Sequence, residues 1–424
     1  MIETKDARRI ILEHVRPLEE ESVEIVLALG RTLNEDIYAD EDSPSFDSSA
    51  MDGYALVASD TAGASLNQPV ILEVIEDLPA GSIPLKTVTA GKASRIMTGA
   101  PIPQGADAVI MVEDTERMRN AECGMRNERE GTERVRVFRE VKRGENLRKK
   151  GEDVRKGELI LKKGRRIRPA EIGMLACLGR TAVKTIRPPV VAILATGNEL
   201  VEPGGKLAPG KIHNSNTYSL MAQVLEAGGI PLNLGIARDK KELLKEKIGE
   251  ALSADLIITS AGVSVGEYDL VKDVLEEMGL KLLFWKVATK PGKPTVFGLI
   301  QGKPYFGLPG YPVACMVCFE LFVRPAILSM MGRERLFRPQ VEAVTLEDIK
   351  KKPGRTDYLR AVISYNRKLE RYEANLTGPQ KSGILSSMAK ANCLLITPKE
   401  ASFIKSGTVL EAMILQEGGE TEGG

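Results

Sequence analysis

The 424-residue sequence predicts a multidomain α/β plus β protein. It should hold a doubly wound, mostly parallel α/β domain, a β-rich insertion domain, a small C-terminal β-barrel domain and a helical N-terminal linker domain. Three observations predict it. Single hydrophobic cores stop growing at roughly 250–300 residues, so a chain of this length divides. Continuous apolar runs, Val190-Val191-Ala192-Ile193-Leu194 and Leu256-Ile257-Ile258-Thr259, suit strands buried on both faces, and helical segments separate them. Before and after that region the chain turns to brief apolar runs between Gly and Pro signals, the pattern of short β-strands.

Residues 3–14 read as an amphipathic helix with Ile10, Ile11 and Leu12 near its buried side, ended by Pro17. Extended runs follow at Val23–Leu29 and Arg31–Ala39, then a turn-rich stretch over 42–49. Val70–Val74, Val88, Val109–Val112 and Val135–Val137 are the short runs of an insertion over 49–144. The charge-dense segment Glu116 to Glu133 within it reads as a solvated hairpin tip. Pro169 opens and Gly179 closes a helix over 168–179. That helix is expected to return to the N-terminal one, making 1–48 and 145–180 one discontinuous domain.

The α/β domain is expected over 181–330. After its first strand come a helix at Ser215–Ala227 ended by Gly228-Gly229, a strand at Leu232–Ile236 and a helix around Lys241–Leu252. Beyond the strand at 256–259, a helix at Tyr268–Met278, a strand at Lys281–Val287 and a long apolar helix at Pro312–Met331 follow. Short strands over 331–416 (Val341–Thr345, Leu359–Ile363, Tyr372–Ala374, Cys393–Ile396 and Val409–Ile414) suit a barrel, and 417–424 a disordered tail.

Composition excludes several classes. Lys and Arg number 59 against 58 Asp and Glu, so no bulk basic field exists for nucleic acid or an acidic membrane. No segment approaches the ~20 apolar residues of a spanning helix. The charged start Met1-Ile2-Glu3-Thr4-Lys5-Asp6 has no signal-peptide pattern, which points to the cytoplasm. Five cysteines, an odd count, argue against a disulfide framework and for a reducing compartment. Two histidines, His14 and His213, weigh against a His-rich zinc site or a Ser–His–Asp hydrolase. Abundant Lys, Arg and Glu suit a hot-adapted source and a charged mesophile alike.

In open α/β sheets ligands sit beyond the carboxyl ends of the strands, and four loops fall there. They are Ala195-Thr196-Gly197-Asn198-Glu199, Ser260-Ala261-Gly262-Val263-Ser264-Val265-Gly266-Glu267, Lys290-Pro291-Gly292-Lys293-Pro294, and Gly307-Leu308-Pro309-Gly310-Tyr311-Pro312. Glycines let backbone amides approach a ligand, a helix start adds partial positive charge, and Lys290 and Lys293 add two cations. Each loop alone is also an ordinary turn; four together describe a pocket for phosphate or an oxyanion. No G-x-x-x-x-G-K-[ST] or G-x-G-x-x-G is present.

Asp52, Asp153, Glu199, Asp239 and Asp269 are the acidic candidates. Carboxylates beside a phosphate pocket suit Mg²⁺, though each is otherwise a cap or surface charge, Asp239 especially because a helix follows it. Thr98 lies in a Thr-Gly turn. Cys315 and Cys318, inside an apolar helix, read as buried thiols. His213 stands close enough to the sheet edge to touch a ligand, although a lone His is more often structural.

Ser49-Ala50-Met51-Asp52-Gly53-Tyr54-Ala55, Met97-Thr98-Gly99-Ala100-Pro101, Gly105-Ala106-Asp107-Ala108-Val109, Gly151-Glu152-Asp153, Thr196-Gly197-Asn198-Glu199-Leu200 and Gly262-Val263-Ser264-Val265-Gly266 occur in this order. Lys290-Pro291-Gly292-Lys293-Pro294, Gly307-Leu308-Pro309-Gly310 and Gln380-Lys381-Ser382-Gly383 continue it. Together they resemble the molybdopterin molybdenumtransferase family, which includes the gephyrin E domain, over nearly the whole chain. The resemblance implies four structural units per subunit and an elongated homodimer, with the site between the α/β unit of one subunit and the β insertion of the other. It implies transfer of molybdate, or tungstate, which is close in size and charge, into adenylylated molybdopterin, with AMP released and a divalent cation such as Mg²⁺ assisting. The molybdopterin adenylyltransferase and apo-molybdoenzymes are its implied partners.

Carried over, Asp52, Thr98 and Asp153 would form the partner-subunit wall of the cleft. Glu199, Asp239, Asp269, Lys290 and Lys293 would line the α/β side, with Glu199, Asp239 and Asp269 as the cation's ligands. Thr196, Gly197, Asn198, Ser260, Gly262, Ser264, Gly266, Pro291, Gly292, Pro309 and Gly310 would bind substrate. Asn198 stands where the family commonly has Asp, Ala261 where it has Gly, and Tyr311 where it has Asn. Two rivals remain: a molybdopterin adenylyltransferase-like nucleotidyl transferase, disfavoured by the extra β domains, and a non-catalytic gephyrin-like scaffold, disfavoured by the lack of a long Pro/Ser-rich linker.

Overall fold

The structure is a computed structural model that describes residues 1–118, 133–261 and 270–416. The expected tail therefore lies outside the described residues. The chain forms two compact units: Met1–Glu35 with Gly164–Arg168 and Ala182–Gly424, and Asp36–Lys163 with Pro169–Thr181.

The second of these units is built on a six-stranded sheet in the order Ala108–Met111, Gly53–Leu56, Lys92–Ile96, Val70–Leu78, Glu133–Val137, Thr115–Met118. Alternating apolar residues put Tyr54, Leu56, Leu72, Ile110 and Val135 on one buried face. Gly53 is fixed by contact: a Cβ there would lie 1.8 Å from the Ile110 carbonyl oxygen. The last two strands pair as the hairpin expected around the charged segment, whose tip lies outside the described residues. The helix Pro169–Cys177 belongs to this unit.

The other unit carries a six-stranded α/β sheet. Its strands are β1 (Val190–Thr196), β2 (Ile230–Ala237), β3 (Leu256–Ser260), β4 (Leu280–Trp285), β5 (Val296–Ile300) and β6 (Lys303–Leu308), in the order β2-β1-β3-β6-β5-β4. β2, β1, β3 and β6 are parallel, whereas β5 runs antiparallel to both β6 and β4. Helices Asn216–Ala227, Lys241–Ala251 and Leu270–Glu277 flank it. β5 and β6 are absent from the strands expected of the sequence. Gly298 and Pro304 interrupt their apolar period, so the hairpin was hidden.

The stretch at Pro312–Met330 corrects two expectations. It is helical in three pieces, with a π turn at Phe319–Val323 between Pro312–Cys318 and Arg324–Met330. Pro325 has no N–H to give the Leu321 carbonyl, and Arg8 Nε donates to that oxygen instead at 3.1 Å. The stretch is also long and apolar enough to cross a membrane, contrary to the expectation for the chain. However, 83% of its apolar window is buried, among Phe297, Phe306, Phe319 and Phe322, so its apolarity makes the core. The helix Thr4–Glu13 adds Ala7 and Ile11 to that same core. The run expected at Val23–Leu29 is instead a strand, Glu20–Glu24, followed by a 3₁₀ turn at Ile25–Ala28.

The C-terminal region is a closed five-stranded barrel. Thr356–Asn366, Arg371–Leu376, Gln340–Thr345, Val409–Ile414 and Cys393–Thr397 follow one another, and the last pairs back with the first. Leu359, Ala361, Leu395 and Ala412 fill it. A two-residue strand, Thr289–Lys290, pairs in parallel with Thr356-Asp357 on its outside.

Candidate functional site

The parallel strands end along a single row. Ala237 of β2 lies opposite Thr196, Ala195 of β1 opposite Ser260, Ser260 of β3 opposite Leu308, and Gly307 of β6 opposite Val296 at the start of β5. All four loops read from the sequence therefore leave or enter at the same sheet edge. The chain connects β1 to β2 on one side, while β3 is flanked by β6 on the other. The loops after β1 and β3 thus diverge at a switch point of the kind that opens a ligand crevice.

The β1 loop is held from below by Thr196, whose Oγ1 donates to the Ser260 carbonyl at 3.5 Å. Gly197 has φ +140°, and a Cβ there would lie 2.4 Å from Glu199 Oε2, so the Glu199 carboxylate folds over a bare backbone. Asn198 N–H donates to Asp239 Oδ2 at 3.2 Å, and Asp239 N–H donates to Asn198 Oδ1 at 3.4 Å. Lys211 Nζ and Arg238 Nη1 both donate to the Asn198 carbonyl, at 2.6 and 3.1 Å. Sequence reasoning missed these two cations. Arg238 adjoins a named acid, but Lys211 arrives from a separate loop.

Ser260 is buried, and its Oγ accepts from Asn216 Nδ2 at 2.8 Å. The same amide donates to the Gly310 carbonyl at 2.7 Å, tying the β3 end to the β6 loop. Asn216, too, was missed, because its partners lie 44 and 94 residues away. Ala261 takes φ +74°, the left-handed region that a glycine would enter freely. Pro309 is buried, and Tyr311, 66% exposed, lays its ring against Gly383. Gly262, Ser264, Gly266 and Asp269 lie outside the described residues.

Lys290 Nζ pairs with Asp357 Oδ2 at 3.1 Å, and the buried Lys351 lies 3.7 Å from the other oxygen of that buried carboxylate. Lys293 is exposed and Pro291 buried. Gly292, φ +107°, sits over Cys318; a Cβ would lie 2.3 Å from its Sγ. Burial pushes the Cys318 thiol up to about 12 and raises Cys315 as well, so both are inert packing thiols, as expected. The four described cysteines are free. His213 Nε2 lies 3.0 Å from the Gly205 carbonyl, a structural contact.

In the other unit, Asp52 Oδ1 accepts from both Thr98 N–H and Thr98 Oγ1 at 2.7 Å. The backbone donor first, then the hydroxyl, holds the Asp52 carboxyl below its usual range. Asp153 is exposed, and its N–H donates to the Ser43 carbonyl at 3.1 Å. Among the described residues no three His, Cys, Asp or Glu groups converge as a ready metal cage.

Glycine-bearing loops gathered at a switch point of an α/β sheet, in a chain that also carries a β-rich unit and a barrel, define a multidomain α/β protein of the ligand-handling kind. Residues 2–179 match the MoeA N-terminal region (domain I and II), 192–329 the probable molybdopterin binding domain, and 342–415 the MoeA C-terminal region (domain IV). The chain is 38% identical to the molybdopterin molybdenumtransferase of Bacillus subtilis (strain 168), over 98% of this chain and 94% of that one. It is 35% identical to molybdopterin molybdenumtransferase 2 of Mycobacterium tuberculosis (strain ATCC 25618 / H37Rv), over 97% and 99%. Two crystal structures of the molybdopterin biosynthesis MoeA protein from Pyrococcus horikoshii superpose with TM-scores of 0.80 and 0.77 at 34% and 32% identity, each over 98% of this chain and 100% of that one. The chain belongs to the molybdopterin molybdenumtransferase family, transferases of molybdenum cofactor biosynthesis.

Proposed function

We propose that this chain inserts molybdate, or tungstate, into adenylylated molybdopterin and releases AMP. The observation that carries the reading is the row of strand ends, which gathers the Thr196–Glu199, Ser260, Lys290–Lys293 and Pro309–Gly310 loops on one sheet edge. Exposed Lys293, half-exposed Lys290 and backbone amides of the glycine turns would hold the oxyanion and phosphates. Cleaving a phosphoanhydride needs mainly positioning and neutralised charge, which fixed cations and amides supply.

Glu199 and Asp239, on adjacent strand ends, offer the oxygen donors a hard divalent cation such as Mg²⁺ prefers, with Asp269 as a third candidate. Two described carboxylates suit such an ion only together with substrate oxygens, its usual way of binding nucleotides. Bound, it would neutralise charge developing on the leaving phosphate. Asp239 keeps one oxygen on the Asn198 N–H, and the other would serve the cation.

The same reading includes a homodimer in which the partner subunit supplies Asp52, Thr98 and Asp153. It includes a cytoplasmic location, exchange with the molybdopterin adenylyltransferase and apo-molybdoenzymes, and domain boundaries near 48, 144, 180 and 330. The decisive experiment incubates pure protein with adenylylated molybdopterin, molybdate and Mg²⁺ and quantifies AMP. AMP formed in step with molybdate-loaded pterin supports the reading. No AMP, where the Bacillus subtilis relative forms it, overturns it.

A further inference from the structure

A second charged cavity lies at the opposite edge of the α/β sheet, beside Pro188, which precedes β1, and Gly228, at the end of the helix Asn216–Ala227. Its volume is about 1330 Å³, and eight arginines and two glutamates line it. Some of that charge is spent internally. Arg338 donates to the buried Glu320 at 3.0 Å and to Glu226 at 2.6 Å, and Arg31 pairs with Glu21.

The rest is not. Among the described residues, no ion pair holds Arg166, Arg333 or Arg335. Arg333 Nη2 donates to the Gly30 carbonyl, but its Nε is buried with no hydrogen-bond partner. Burial, then the like charge of neighbouring Arg166, hold the Arg333 guanidinium down to about 10. A buried donor without an acceptor and two crowded guanidinium groups are each unfavourable alone, and one bound anion relieves both.

We propose that this cavity is a second anion site, distinct from the strand-end crevice, for a nucleotide-sized ligand bearing a chain of phosphates. Arginine, not lysine, supplies its cations, and the planar fork matches phosphate oxygens two at a time. The volume exceeds the need of a single oxyanion and meets that of a nucleotide. Leu29, Leu225 and Phe337, all more than 40% exposed on its wall, offer apolar surface that a nucleoside would cover and bare polyphosphate would not.

The test is calorimetric titration of the full-length protein with inorganic tripolyphosphate, ATP and adenosine at fixed ionic strength. Tripolyphosphate and ATP should bind and adenosine should not; tighter binding of ATP than of tripolyphosphate would assign the apolar wall to the nucleoside. Arg166→Ala with Arg335→Ala, both at exposed positions, should weaken both ligands at this cavity by about tenfold or more, while Lys290→Ala with Lys293→Ala, which removes only the crevice's cations, leaves that arginine-dependent binding event in place. In the unaltered protein, tripolyphosphate should slow hydrogen exchange over 164–168 and 331–339. No binding, binding indifferent to the arginine pair, or the arginine-dependent event lost with the lysine pair would overturn the proposal, whereas molybdate insertion is read separately, by AMP release.

Discussion

Asn198 and Asp239 clasp each other across two neighbouring strand ends, each donating its backbone N–H to the other's side-chain oxygen, at 3.2 and 3.4 Å. An aspartate at 198 could accept the same bond but would set a second carboxylate beside Asp239. The amide keeps the geometry without the repulsion.

Asp239→Asn keeps an oxygen for the Asn198 N–H and removes only the charge. It is expected to lower kcat/KM for AMP release by about 100-fold, with the melting temperature nearly unchanged at this exposed position. Glu199→Ala should abolish turnover with the fold equally intact. Full activity in both variants would remove these carboxylates from the site.

Ala261 holds φ +74°, which costs an L-residue about 1–2 kcal/mol relative to glycine. Ala261→Gly gives part of that back to the unfolded chain, so a net gain of about 0.5–1 kcal/mol is expected, read as a higher urea midpoint at constant m. A lower midpoint would show that the methyl group makes a stabilising contact.

Gly292→Ala would place Cβ 2.3 Å from Cys318 Sγ at φ +107°. A loss of about 2–4 kcal/mol follows, from overpacking and backbone strain together. Adding Cys318→Ala removes the clash but leaves the strain, so a double-mutant cycle in urea should recover part of the loss. Strict additivity would refute the contact.

Asp52 is held ionised by Thr98, so its folded pKa lies below the unfolded value of about 3.9. Whatever this bond contributes is present above pH ~4 and lost as pH falls through the folded pKa. Thr98→Val removes the hydroxyl donor and keeps the backbone one. The Asp52 carboxyl should then titrate at higher pH by ¹³C NMR, towards but not reaching the ordinary value. An unmoved titration would mean that the hydroxyl bond does not form in solution.

The loops of the candidate site were legible where chemistry is local. Gly197, Gly292 and Gly310 mark their loops because backbone geometry demands them within a few residues of a buried strand. What stayed hidden depends on distant pairing. Asn216 bonds to Ser260 and Gly310, and Asp357 meets Lys290 from 67 residues away; neither carries a spacing signal. β5 and β6 were lost because Gly298 and Pro304 break the apolar runs inside the two strands of the hairpin. The stretch 312–330 was legible as a long apolar helix but not as one of membrane-spanning length, since its charged Glu320 and Arg324 interrupt the apolar run.

The small pairing of Thr289–Lys290 with Thr356-Asp357 bears on how the chain can be dissected. A shortened version ending near Met331 would forfeit the neighbour that seats Lys290 and the carboxylate that grips its ammonium. Such a fragment could retain its sheet yet present the lysine loop untethered. The barrel is thus a mould for one wall of the crevice, and trimming the protein to a minimal catalyst would have to retain it.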